Sequence, residues 1–417
     1  MSVAELQIVD RLKRVREFTD RITRPLSAED CMIQSMEDAS PTRWHLAHTT
    51  WFFEEFVLKR DPSYREFNQQ FAYLFNSYYN AVGKQFPRPQ RGMISRPNLA
   101  GIREYRQYVD QELVDRLESP EFLRQHQATV ELGLHHEQQH QELILTDIKH
   151  ALAANPLWPV YAAAPFAPGE PLDDSFMEFC EGQYQIGHDS ETFCYDNERP
   201  CHTVFLPAYA IARGLVTCRQ FIEFIDDRGY ERPELWLSLG WNAVQEYGWK
   251  APLYWIQRAG QWMQFTLAGL TEINPDWPVC HVSYFEADAF ARWANKRLPT
   301  ESEWEVACQA TGCQGVEGGQ FADWLLGDGR AVHPTSACAG FGGAVWQWTS
   351  SSYQAYPGYR PPEGAIGEYN GKFMCNQYVL RGGSVATSSS HIRPTYRNFF
   401  PAEARWQFSG IRLANGY

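Results

Sequence analysis

The proline-free, helix-favouring run from about Glu121 to Ala153 constrains the fold more than any other stretch. A helix of that length is held mainly by burying one face, so the surrounding chain must supply helices to pack against it. Inside it, Leu134-His-His-Glu-Gln-Gln-His-Gln-Glu142 sets His136 and His140 four residues apart. On a helix this spacing turns through about 400° and climbs about 6 Å, so both imidazoles share a face, one turn apart. Two neutral imidazoles so placed can chelate a divalent ion, and imidazole suits zinc, iron, copper and nickel. The same residues fit the His-Glu-x-x-His pattern of zinc metalloproteases, with Glu137 as general base. The competing reading is a histidine-rich, solvated helix face.

The partner helices are legible upstream. Leu6, Val9, Leu12, Val15, Phe18 and Ile22 form one apolar stripe. Ser27-Ala-Glu-Asp30 resembles a capping box opening a short second helix. Ser40-Pro41 reads as an N-cap with proline at the first helical position, starting a helix from Thr42 to Phe56. Another helix fits Leu99 to Leu117, and Ser119-Pro120 repeats the start signal before the long run. Four principal helices over residues 1–155 predict a bundle, whose metal sites come from side chains on facing helices. His48 lies on the core side with Trp44, Trp51 and Phe52, and His45 competes from nearer the polar edge. Between the helices, Asn76 to Pro97 lacks periodicity but carries Tyr78, Tyr79, Arg88 and Arg91. Phenolic protons and a guanidinium fork for a carboxylate suit a functional loop; packing tyrosines and solvated arginines are the alternative.

Residues 156–175 hold five prolines and read as an extended linker. Residues 176–417 then change character, with twelve of the fifteen tryptophans after residue 230. Two helices, 217–227 and 284–296, are expected in an otherwise irregular α+β domain held by buried indoles. A net charge of −13 argues against a nucleic-acid or anionic-membrane partner. No apolar run nears the ~20 residues of a membrane span, and the start reads as an amphipathic helix, not a signal peptide. Ten cysteines without a CxxC pair fit a reducing cytoplasm.

Both halves resemble known families, making the chain multidomain, α followed by α+β. The first resembles the DinB-type four-helix bundle. The second resembles the formylglycine-generating-enzyme fold, a C-type-lectin-like architecture. It does so through Asp196-Asn-Glu-Arg-Pro-Cys-His202, Leu215-Val-Thr217, Arg297-Leu-Pro-Thr-Glu-Ser-Glu-Trp-Glu305, Val345-Trp-Gln-Trp-Thr349, Arg381-Gly-Gly-Ser384 and Ser409-Gly-Ile-Arg-Leu413. In this order the halves resemble the sulfoxide synthases of ergothioneine biosynthesis, nonheme iron enzymes that join a thiol to the imidazole of hercynine. The resemblance implies iron(II) on His48, His136 and His140, with His45 demoted. It implies Gln139 against the substrate imidazole, Arg88 and Arg91 on the thiol substrate's carboxylate, and Asn398, Phe399 and Phe400 closing over hercynine. Phe400 stands where γ-glutamylcysteine users carry an acid, so free L-cysteine is the implied donor, with O2 as co-substrate.

Three neutral imidazoles leave three open positions on iron, enough to bring both organic substrates and O2 together. Tyr78 or Tyr79 would act as proton donor, and aromatic faces suit a trimethylammonium group. Other outcomes are a selenoneine synthase or another thiol–histidine coupling enzyme, a zinc-dependent hydrolase or thiol transferase, and a non-catalytic binding module.

Overall fold

The computed structural model describes residues 3–170, 172–312, 318–337 and 340–416. The chain divides into two compact units, Met1–Pro156 with Glu363–Tyr369, and Leu157–Pro362 with Asn370–Tyr417. Within the stretch 176–417, Glu363–Tyr369 groups with the first unit, where the Glu368 carboxylate accepts the backbone N–H groups of Asn80 at 3.0 Å and Ala81 at 2.8 Å.

The first unit contains α1 (Val3–Thr23), α2 (Thr42–Phe56), α3 (Phe71–Phe75), α4 (Leu99–Leu117) and α5 (Pro120–Ala153). α2 packs on α4 and α5, and α1 packs on α5. Every residue of α2 except Glu55 is buried, so it is the core helix that the others enclose. Gly133 permits the close approach of α5 to α2: a Cβ there would lie 2.5 Å from Cε1 of Phe53. Glycine is a poor helix former, but this contact sits one turn before His136 and brings the histidine-bearing faces together.

The start signals hold unevenly. Ser119 caps α5 through Phe122 N, and Asn98 caps α4 through Gly101 N. Ser40 does not cap α2. Its Oγ accepts from Arg91 Nη1 at 2.9 Å and its N–H donates to Asp147 Oδ2 at 2.8 Å, while Pro41 occupies the cap position. Ser27 and Asp30 do bond reciprocally, but only a 3₁₀ turn, Asp30–Met32, follows. The loop after α3 is organised by Asn76, which bonds the backbone of Tyr79 and Gly83, and it contains a 3₁₀ helix, Arg88–Met93.

The second unit is built on short strands. In chain order these are β1 (Phe176–Phe179), β2 (Gly182–Ile186), β3 (His202–Leu206), β4 (Tyr209–Ala212), β5 (Trp255–Arg258) and β6 (Gln261–Thr266). There follow β7 (Gly269–Glu272), β8 (Trp346–Ser352), β9 (Gln377–Arg381), β10 (Asn398–Pro401), β11 (Ser409–Gly410) and β12 (Ala414–Asn415). They pair as β1-β4-β12, β10-β9-β8-β11, β2-β3 and β5-β6-β7. The two expected helices form as α6 (Cys218–Asp226) and, after the unforeseen α7 (Ser238–Tyr247), α8 (Tyr284–Trp293). Two more were also unforeseen, α9 (Glu301–Ala310) and α10 (Ala322–Gly327).

The recurrent motifs of this half form its polar core. Arg397 forks onto Glu301 at 2.8 and 2.9 Å, and Arg381 pairs with Glu305 with both side chains fully buried. Gln347 Oε1 accepts from Trp304 Nε1 at 2.6 Å and from Arg412 Nε at 2.7 Å. Gly382 has φ +99°, and a Cβ there would meet the Phe341 carbonyl at 2.5 Å, so glycine is required. Among the described residues no helix is long and apolar enough to cross a membrane.

Candidate metal centre

α2 presents His45 and His48, and α5 presents His136 and His140. Ligand nitrogens of His48, His136 and His140 all lie within 4.8 Å of one another, and all three residues are buried. Their ring centroids are 4.6–4.9 Å apart. The walls are apolar: Trp44 stacks on His48 at 4.6 Å and 13°, Trp51 stacks with it at 5.6 Å, and Phe52 lies 4.7 Å from His136. Loss of solvation in this pocket pushes the His48 and His140 pKa values well below the usual imidazole range and that of His136 to about 3. The rings are therefore neutral at physiological pH, the form in which imidazole ligates.

The hydrogen bonds define which nitrogens are left over. His48 Nδ1 is 2.5 Å from the Phe75 carbonyl, which can only accept, so Nδ1 carries the hydrogen and Nε2 the lone pair. That Nε2, and both ring nitrogens of His136, are buried without a hydrogen-bond partner among the described residues. Buried polar atoms are rarely left so, and a divalent transition metal fits this all-nitrogen donor set.

Glu137, adjacent to His136, faces a different neighbourhood. Its carboxylate accepts from Arg16 Nη1 at 2.5 Å and Thr19 Oγ1 at 2.6 Å on α1, and from Arg106 Nη2 on α4. Burial alone would raise its pKa, but the Arg106 and Arg16 guanidiniums hold it below the ordinary range. A carboxylate consumed by three donors is not placed as the general base of a protease, and this contradicts the hydrolase assignment of that residue.

The remaining candidates are distributed as follows. Gln139 Oε1 accepts a hydrogen bond from the phenol of Tyr369, whose ring lies 5.8 Å from His136 and 6.2 Å from Tyr78. Tyr369, brought in by Glu363–Tyr369, was not singled out from sequence; its stretch has neither periodicity nor a local motif. Tyr78 is half-buried, whereas Tyr79 is fully buried among Trp51, Phe56 and Tyr78. Arg91 is buried, 3.4 Å over the Trp44 ring, bonded to Ser40 and Ser77, with Nε lacking a partner among the described residues. Arg88 is exposed and donates to the Asp38 carbonyl.

Asn398, Phe399 and Phe400 lie on β10 in the second unit. Phe399 stacks on Tyr353 at 4.0 Å, Phe400 packs edge-on against Trp406 at 5.8 Å, and Asn398 Oδ1 accepts its neighbour's N–H. Tyr353 and Tyr356 are engaged in the same unit, with Asn197 and with Glu301. His45, set aside as a ligand, stays outside the nitrogen cluster but is bonded to His140 through Nδ1 at 2.7 Å.

Comparison with known proteins matches residues 11–144 to the DinB superfamily, and residues 173–337 and 334–417 to the sulfatase-modifying factor enzyme 1-like domain. The hercynine oxygenase of Mycolicibacterium thermoresistibile is 33% identical over 97% of this chain and 95% of its own length. That of Mycobacterium tuberculosis is 36% identical over 67% of this chain and 69% of its own. A formylglycine-generating enzyme of Mycobacterium tuberculosis is 31% identical over 44% of this chain and 76% of its own.

Proposed function

The chain belongs to the hercynine oxygenase family, and from that premise we propose that it is an iron(II)- and O2-dependent sulfoxide synthase. It would join L-cysteine to the imidazole C2 of hercynine, giving hercynyl-cysteine sulfoxide, in the ergothioneine pathway. The observation that carries the reading is the buried cluster of His48, His136 and His140, three neutral imidazoles whose ligand nitrogens lie within 4.8 Å of one another. Iron(II) held there would supply the redox chemistry that links reduction of O2 to carbon–sulfur bond formation.

The protein's own groups then divide the remaining work. Arg91, packed over Trp44 with its Nε–H unpartnered among the described residues, and Arg88 at the exposed edge of the loop, bind the cysteine carboxylate. Gln139 stands between the two α5 ligands with its oxygen accepting from Tyr369, and its amide orients the substrate imidazole. The Tyr369 phenol, against His136, supplies the proton, with Tyr78 as the next phenol along; Tyr79 belongs to the core. Phe399 and Phe400 offer faces suited to a trimethylammonium group, with Asn398 as a polar contact. Apolar walls of Trp44, Trp51 and Phe52 exclude water from the cluster.

The test is O2 uptake by the Fe(II)-reconstituted protein with hercynine and cysteine together. Uptake should need both substrates for full rate and should disappear in His48→Ala, His136→Ala and His140→Ala, each of which should also lose bound iron. Undiminished iron binding in the His48 variant would remove that residue from the ligand set.

A further inference from the structure

His45 and Asp147 form a buried chain behind His140 that the reading above does not use. His45 Nδ1 lies 2.7 Å from His140 Nδ1, and His45 Nε2 lies 3.1 Å from Asp147 Oδ2. The same carboxylate oxygen receives the Ser40 N–H at 2.8 Å. His45 is 2% exposed and Asp147 6%, so water does not substitute for these contacts.

The chain has a direction. A carboxylate offers only lone pairs, so the hydrogen between it and His45 resides on His45 Nε2. If the His45 ring is neutral, it then presents a lone pair at Nδ1. Two nitrogens 2.7 Å apart are bonded only if one of them donates, and the donor is His140 Nδ1. His140 is left with its lone pair on Nε2. The reverse arrangement would set the His45 Nε2 lone pair against the Asp147 oxygen, repulsive in a site with low screening.

We propose that His45 and Asp147 are positioning residues that fix the tautomer and ring orientation of His140, so that Nε2 is its metal-binding atom. The proposal rests on the reading of His140 as a ligand. The second ligand shows the same outcome by a simpler route, since the Phe75 carbonyl fixes His48 with Nδ1–H and a free Nε2. Asp147 stands seven residues after His140 on α5, about two turns on, and His45 stands three before His48 on α2. Each helix thus supplies both a ligand and part of the support for one. Partners of this kind raise metal affinity about 10–100-fold.

The experiment is long-range ¹H–¹⁵N NMR of the histidine-labelled full-length protein without metal. His140 is expected with Nδ1 protonated and Nε2 bare, and Asp147→Ala is expected to mix or invert that pattern. Cobalt(II) titration gives the second readout. His45→Ala and Asp147→Ala should bind about 10–100-fold more weakly. Asp147→Asn, whose amide oxygen still accepts from His45 and Ser40, should stay within a few-fold of wild type. Should His45→Ala fail to fold, His45→Gln, which can still accept from His140, should retain affinity. Protonation of His140 at Nε2 in the wild type overturns the proposal, as does wild-type cobalt affinity in folded Asp147→Ala. The tautomer is read without metal, substrate or turnover, so it separates from failure of the functional reading.

Discussion

The phenol of Tyr369 donates a hydrogen bond to the side-chain oxygen of Gln139, joining residues 230 positions apart. Gln139 precedes His140 on α5, and Tyr369 reaches it because Glu363–Tyr369 folds with the first unit. In the proposed reading this bond sets a proton donor against His136 and orients the amide that meets the substrate.

Tyr369→Phe removes both effects. General acids typically contribute 10²–10⁴-fold, so sulfoxide formation should fall by about that factor while cysteine consumption falls less. Product partition between sulfoxide and cysteine sulfinate, measured by mass spectrometry, is the readout. Tyr78→Phe should have a smaller effect and Tyr79→Phe the least. A wild-type partition in Tyr369→Phe would return the role to the loop tyrosines.

Glu368 anchors the segment through the Asn80 and Ala81 amides, adjacent to Tyr369 and to the Tyr78 loop. Small misplacements of reacting groups can cost about 10²-fold. Glu368→Ala is expected to lower kcat by about 10–100-fold with little change in Tm, and to speed hydrogen exchange at Asn80 and Ala81. Unchanged exchange there would contradict the anchoring role.

Glu137 acts on stability. Glu137→Gln removes the counter-charge that Arg106 pairs with and leaves Arg16 only its second ion pair, to Asp110 at 2.8 Å. Breaking a buried pair from one side costs about 3–5 kcal/mol. Urea unfolding should show a loss of that order, and an unchanged midpoint would contradict the ion network as described.

The sequence made the bundle legible because its helices are long, periodic and bounded by caps such as Ser119, and an i, i+4 histidine pair needs only a helix to be interpretable. His45 and His48 were harder to separate. Both lie on a helix buried nearly all round, and their roles differ by which nitrogen meets which partner, a matter of ring orientation. α9 carried a readable signal, since Thr300 and Glu303 form a reciprocal cap, but its ten residues hold too little periodicity to stand out. Tyr369 had no local signal, because its position depends on the chain returning to the first unit. Ser40 misled because a capping-type residue was engaged by Arg91 and Asp147 instead.

The thiol donor is open to direct competition. Arg88 is exposed and Arg91 buried, so Arg88→Ala should raise KM for the thiol without lowering Tm, and Arg91→Ala should raise KM and lower Tm. Offered equal cysteine and γ-glutamylcysteine, the wild type should consume cysteine. Preference for the dipeptide, or for a selenium donor, would reassign the branch.

The most direct measurement is the mass of the product formed under ¹⁸O2 by the Fe(II)-reconstituted protein with hercynine and L-cysteine. A hercynine–cysteine conjugate carrying one ¹⁸O is the predicted result, absent when any of His48, His136 or His140 is replaced by alanine. Hercynine recovered unchanged, with or without cysteine sulfinate, would contradict the account.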